Sequence, residues 1–139
     1  MSIPMTLPEP AARPPLTCRV TSVVALALST VLVHAAPLRC TLAAARGAKR
    51  VSRRPATRVE AREAVEAVRW AGRFFPSRAA CLETSLAALL VCVAHGRSVD
   101  WCIGCRFDPC EAHAWIEADR CPAGEPDTPD RPFHITLRV

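Results

Sequence analysis

The sequence predicts an α+β domain: N-terminal helices packed on a small antiparallel sheet. Three observations carry that expectation. Apolar residues recur at helical spacing through the first part of the chain, as in Ala61, Ala64, Val65, Val68 and Ala71. After Gly96 the period shortens to alternation, as in His113-Ala114-Trp115-Ile116-Glu117-Ala118. Half of the 139 residues are hydrophobic, enough to bury a real core in one domain and too few residues for two ordinary ones.

The elements follow in order. Five prolines fall within residues 1–15, which read as a disordered leader ahead of a single domain over 16–139, with its core at 57–139. Residues 17–36 predict an apolar, buried helix ended by Pro37. Val20 to Leu38 carries no charge and raises the membrane question, but Thr21, Ser22, Ser29, Thr30 and His34 interrupt it, and no membrane is expected. A short second helix is expected over 38–46, stopping at Gly47, with 47–56 as a basic connection. Thr57 and Glu60 have the spacing of a capping box, so a helix begins there and runs to Phe74-Phe75-Pro76. The next helix opens at or near Cys81, is apolar nearly all round, and stops at His95-Gly96; that pattern predicts a central position. Strands are expected at Val99 to Phe107, His113 to Ala118, a short one near Cys121 to Glu125, and Phe133 to Val139, with a turn at Asp108-Pro109.

The net charge is +5 and unevenly placed: every charged residue from Arg39 to Arg58 is basic. No aromatic residue is interleaved with that run, and Gly47 and Pro55 break it, so a solvated linker is expected and no nucleic-acid partner. Eight cysteines are present, mostly within patterned apolar segments rather than loops. They read as free thiols in a reducing, cytoplasmic setting. Cys102-x-x-Cys105 with Cys110 and Cys121 has the look of a zinc site, and a cysteine-rich, zinc-binding interaction module is the alternative from another class. Neighbouring strand positions point to opposite faces, which argues against it; no metal and no cofactor is expected.

The chemistry-bearing pair is Cys81 and His113. A thiol attacks as thiolate, and a helix N-terminus beside an imidazolium lowers a cysteine pKa into the range of about 3.5–7.5. Amides at the same helix start can stabilise an oxyanion, and an acid holding the far ring nitrogen completes a triad. Three acids qualify: Glu125 first, then Asp119, then Asp127. Glu125 and Asp127 can return beside the His113 strand, whereas Asp119 lies about 20 Å along it unless the chain turns at once. Trp115 and Glu117 share a strand face with His113; Trp115 is read as a wall of the site and Glu117 as a structural or substrate-facing acid, both candidates for substrate binding.

At these residues the chain resembles the lasso-peptide leader peptidases, a branch of the transglutaminase-like superfamily. The matching stretches are Phe75 to Leu86, Gly96, and Ile103 to Glu117, together with Val65 to Trp70, covering about residues 57–127. The resemblance implies a transglutaminase-like, papain-like core and a cysteine peptidase with Cys81 as nucleophile and His113 as general base. Its acid aligns best with Gly124-Glu125. A glycine turn is common in the family just after the histidine strand; here Asp119-Arg120-Cys121 stands instead. The implied reaction removes the leader from a ribosomally made precursor peptide. The implied partners are that leader, a separate leader-recognition protein and an ATP-dependent lasso cyclase. Acyl or amide transfer is the related alternative within the superfamily.

Overall fold

The computed structural model describes residues 13–76, 79–126 and 130–139. The proline-rich leader up to residue 12, Ser77, Arg78 and the alternative acid Asp127 lie outside them.

Four helices precede the sheet: α1 (Leu16–Ala35), α2 (Leu38–Arg50), α3 (Arg58–Gly72) and α4 (Cys81–Ala94). Two residues before α3, β1 (Arg54–Pro55), pair in parallel with β2 (Arg97–Ser98) just after α4. The main sheet comprises β3 (Asp100–Arg106), β4 (Glu111–Ala118), β5 (Cys121–Pro122) and β6 (His134–Arg138), all antiparallel in the order β5-β4-β3-β6. The α+β expectation therefore holds, helices first and antiparallel strands after.

Each boundary has a local cause. Pro37 separates α1 from α2 and starts the second helix, where a missing N–H costs nothing. α2 does not stop at Gly47. It runs on to Arg50, because Gly47 keeps an ordinary helical backbone on an open surface, and a glycine there costs only about 1 kcal/mol. At α3 the capping box forms as the spacing predicts: Thr57 Oγ1 accepts from the Glu60 amide (3.2 Å) and the Glu60 carboxylate accepts from the Thr57 amide (2.9 Å). Gly96 ends α4 with φ +75°, the left-handed region that favours glycine.

α4 lies at the centre, touching α1, α2, α3 and the sheet. Leu86, Leu89, Val91 and Cys92 are buried on its several faces, and the core is closed by Leu26 of α1, Val68 and Ala71 of α3, and Trp101 and Ile116 of the sheet. Trp101 is fully buried and satisfies its indole by donating to Ser85 Oγ (2.8 Å).

α1 corrects the expectation of a buried helix. Its buried face is narrow and small-residue, made by Ser22, Ala25, Leu26 and Ser29, which lets it approach α4 and α3 closely. Leu16, Val20, Val24, Leu28 and Val31 are exposed. By length and composition this helix is apolar enough to cross a membrane, and 22% of its most apolar window is buried.

Asp119 and Arg120 join β4 to β5 with φ of 53° and 60°. A two-residue hairpin turn with both central residues left-handed is the type that matches strand twist. The chain thus makes this tight turn without glycine.

Candidate active site

Cys81 is the first residue of α4 and half-buried, so its thiol sits where the helix dipole and free amides favour an anion. His113 stands on β4, opposite Gly104 of β3. Glu125 follows the short β5. His113 Nε2 donates to Glu125 Oε2 at 2.8 Å, which leaves Nδ1 unengaged by the acid. The imidazole pKa is raised: the hydrogen bond to Glu125 is the largest cause, burial opposes it, and the hydrogen bond and charge of Cys81 add to the rise. The order thiol, imidazole, carboxylate is therefore assembled from three separate elements.

The hairpin explains how Glu125 arrives. β4 and β5 pair Glu117 with Pro122 and Ala118 with Cys121, and the Ala123 amide donates to the Ile116 carbonyl (2.9 Å). Regular continuation would set Glu125 opposite Ala114, on the wrong face for its neighbour His113. Gly124, at φ +66°, breaks the alternation. It also lies against α3: a Cβ there would come within 2.9 Å of Val65 Cγ1 and 3.3 Å of Arg69 Nη1. Arg69 Nη2 stands 3.6 Å from the other carboxylate oxygen of Glu125. The acid is thus held between β4 and α3. Val65, Arg69, Thr84, Ser85 and Ala114 join His113 and Glu125 in lining a small cavity of about 90 Å³.

The other sequence-derived candidates fall elsewhere. Asp119 is in the hairpin turn, exposed, and paired with Arg58 at 3.0 Å; the immediate turn aims it away from His113. Trp115 and Glu117 are each 5% exposed, which leaves little of either for a substrate to meet and fits the structural reading of Glu117. Trp115 lies flat against Gly104, where a Cβ would meet its ring at 2.7 Å. Its indole donates to Glu117 Oε1 (3.0 Å), and Glu117 Oε2 is 2.9 Å from Arg138 Nη1. This buried string fixes Trp115, whose ring stacks on His113 with centroids 5.9 Å apart. Alternation along β4 placed the two correctly on the face of His113, but periodicity does not say whether that face is open or covered.

Three participants were missed. Phe133 packs on both His113 (centroids 5.3 Å) and Trp115 (5.9 Å), closing a three-ring cluster, with the Arg106 guanidinium 4.4 Å over its ring. Arg69 reads in sequence as one more charge on the solvent side of α3. Glu83, in the first turn of α4, is 6% exposed, and its carboxylate accepts from the Ala80 amide and from His34 Nε2. A glutamate two residues into an apolar helix signals a cap; nothing local signals the histidine that meets it.

A second thiol–imidazole pair, Cys18 Sγ and His95 Nε2 at 4.0 Å, lies at the opposite end of α4. There the helix dipole disfavours an anion, and the other nitrogen of His95 is spent on the Val91 carbonyl (2.8 Å). Among the described residues no three His, Cys, Asp or Glu side chains come together as a metal site. Cys102 is buried, and burial, the largest cause, pushes its thiol up to about 12, as befits a core residue.

The family model of the transglutaminase-like superfamily matches residues 20–138, and the chain belongs to that superfamily. The match includes α1 and α2, which the motif resemblance did not reach. Comparison with curated proteins and with solved structures returned no match. Superfamily membership is compatible with cysteine peptidase or transferase activity.

Proposed function

We propose that this protein is a cysteine peptidase that removes the leader from a lasso-peptide precursor in the cytoplasm, with Cys81 as nucleophile, His113 as general base and acid, and Glu125 as the orienting carboxylate. The observation that carries the reading is the position of His113: Nε2 on Glu125 at 2.8 Å, with the thiol that opens α4 near enough to help raise the imidazole pKa.

The chemistry follows from that arrangement. The thiolate of Cys81 attacks the carbonyl carbon of the scissile bond, and the oxyanion meets amides at the α4 start. The C–N bond breaks as His113 delivers its proton to the departing amine, which is the new N-terminus of the core peptide. The leader remains as a thioester on Cys81. Water, losing a proton to His113, then attacks the thioester, and the leader departs as a carboxylate with the thiolate restored. Glu125 keeps the imidazole in the right orientation and stabilises its protonated form.

On this reading a separate leader-recognition protein presents the precursor, and an ATP-dependent cyclase consumes the freed amine. The lasso assignment rests on the resemblance carried by Phe75 to Leu86 and Ile103 to Glu117. The test is incubation with a precursor peptide and its recognition protein, followed by product mass. Free leader acid and free core amine are expected, and both are lost in Cys81→Ala. A product in which the acyl group is joined to another amine would make the protein a transferase instead.

A further inference from the structure

Glu83 is a buried carboxylate that the mechanism above does not use. It lies in the first turn of α4, two residues after the nucleophile. Its side chain is 8% exposed, yet its charge faces the one end of the helix where a thiolate must form. An acid at that end strengthens the helix but opposes a second negative charge beside it. Two contacts define its task. One carboxylate oxygen accepts from the amide of Ala80, the residue immediately before Cys81, and so fixes the peptide plane that leads into the nucleophile. The other accepts from His34 Nε2 at 2.7 Å, across from the end of α1. Thr84 Oγ1 adds to the same turn by donating to the Ala80 carbonyl (3.0 Å).

We propose that Glu83 and His34 act as a positioning pair for the nucleophile: Glu83 locks the entry to α4, and the His34 imidazolium offsets the negative charge that this lock places beside the Cys81 thiolate. The proposal rests on Cys81 being the nucleophile. It gives α1 a part in the site, through a histidine 49 residues from its partner in sequence.

The two side chains then have opposite effects on the thiol. Glu83→Gln keeps an oxygen to accept from the Ala80 amide and removes the charge. His34→Gln keeps a donor for Glu83 and removes the compensating cation. The rate of carboxamidomethylation of each cysteine by iodoacetamide, read by peptide mass mapping at about pH 6, separates the roles. Glu83→Gln should speed Cys81 labelling by about threefold to tenfold, and His34→Gln should slow it by a similar factor. The double variant should return towards the wild-type rate, because the two charges act on the thiolate with opposite sign. Cys40 and Cys110, which are exposed, serve as internal controls and should not change.

Equal Cys81 rates in wild type and both single variants would overturn the proposal. So would a change of the same sign in both variants accompanied by faster labelling of the buried Cys92, since that pattern describes a loosened fold. If wild-type Cys81 reacts no faster than Cys40 and Cys110, the peptidase reading itself fails and the pair has nothing to position.

Discussion

At the scale of single residues, the candidate site depends on one imidazole held by an acid, His113 on Glu125. The raised pKa of His113 gives a signed expectation. A histidine whose folded pKa lies above its unfolded value of about 6.5 stabilises the fold fully below that value, and the contribution is lost as pH rises through the folded pKa. Thermal stability should therefore fall from slightly acid to slightly alkaline pH. Glu125→Gln, which removes the largest cause of the shift, should flatten that slope and bring the His113 titration, followed by NMR, to lower pH. It should also cut leader cleavage by about 10²–10⁴-fold with little change in KM, the mark of a group needed for orientation and charge in the transition state. An unchanged titration curve would mean that Glu125 is not the partner in solution.

The elements show what was legible in the chain and what was not. α3 and α4 were readable because their ends carry their own chemistry: Thr57 and Glu60 for one, Gly96 for the other. α2 was misjudged at Gly47, since an exposed glycine weakens a helix without ending it. The candidate thiol and imidazole could be picked out because each begins or lines a regular element. The acid was harder, because Glu125 reaches its place through a two-residue hairpin and a left-handed glycine, and only the assembled register reveals which face it meets. That glycine makes a prediction about the element itself. Gly124→Ala must relieve contact with Val65 and leave the left-handed region, so it should move the acid off His113. We expect at least a tenfold loss of kcat, together with about 1–3 kcal/mol of stability measured by denaturant unfolding. Thr57→Ala, at the other end of α3, should cost about 1 kcal/mol by the same assay and leave kcat alone.

For the whole molecule, α4 is the axis on which the helices and the sheet meet, and Cys81, the candidate nucleophile, is at one of its ends. α1 is the element whose relation to that axis was least visible in the sequence. A run without charges from Val20 to Leu38 suits a buried helix, a membrane segment or a one-sided cover equally well, and only packing decides. In the fold one face of it covers α3 and α4, with Leu26 fully buried and Leu28 49% exposed. Leu26→Ala should accordingly cost about 2–5 kcal/mol in denaturant unfolding, whereas Leu28→Ala should change stability by less than about 0.5 kcal/mol. Equal costs at the two positions would mean that the outer face of α1 is covered in solution.

The central claim is that the sulfur of Cys81 carries the leader through a thioester formed with the help of His113. The most direct measurement is intact-protein mass after rapid acid quench of enzyme mixed with recognition protein and precursor, with the modified peptide then mapped. The account predicts a transient adduct of the leader's acyl mass on Cys81, absent in Cys81→Ala and strongly reduced in His113→Ala. Cleavage at the normal rate by Cys81→Ala, or an adduct mapped to Cys18 or any other thiol, would contradict it.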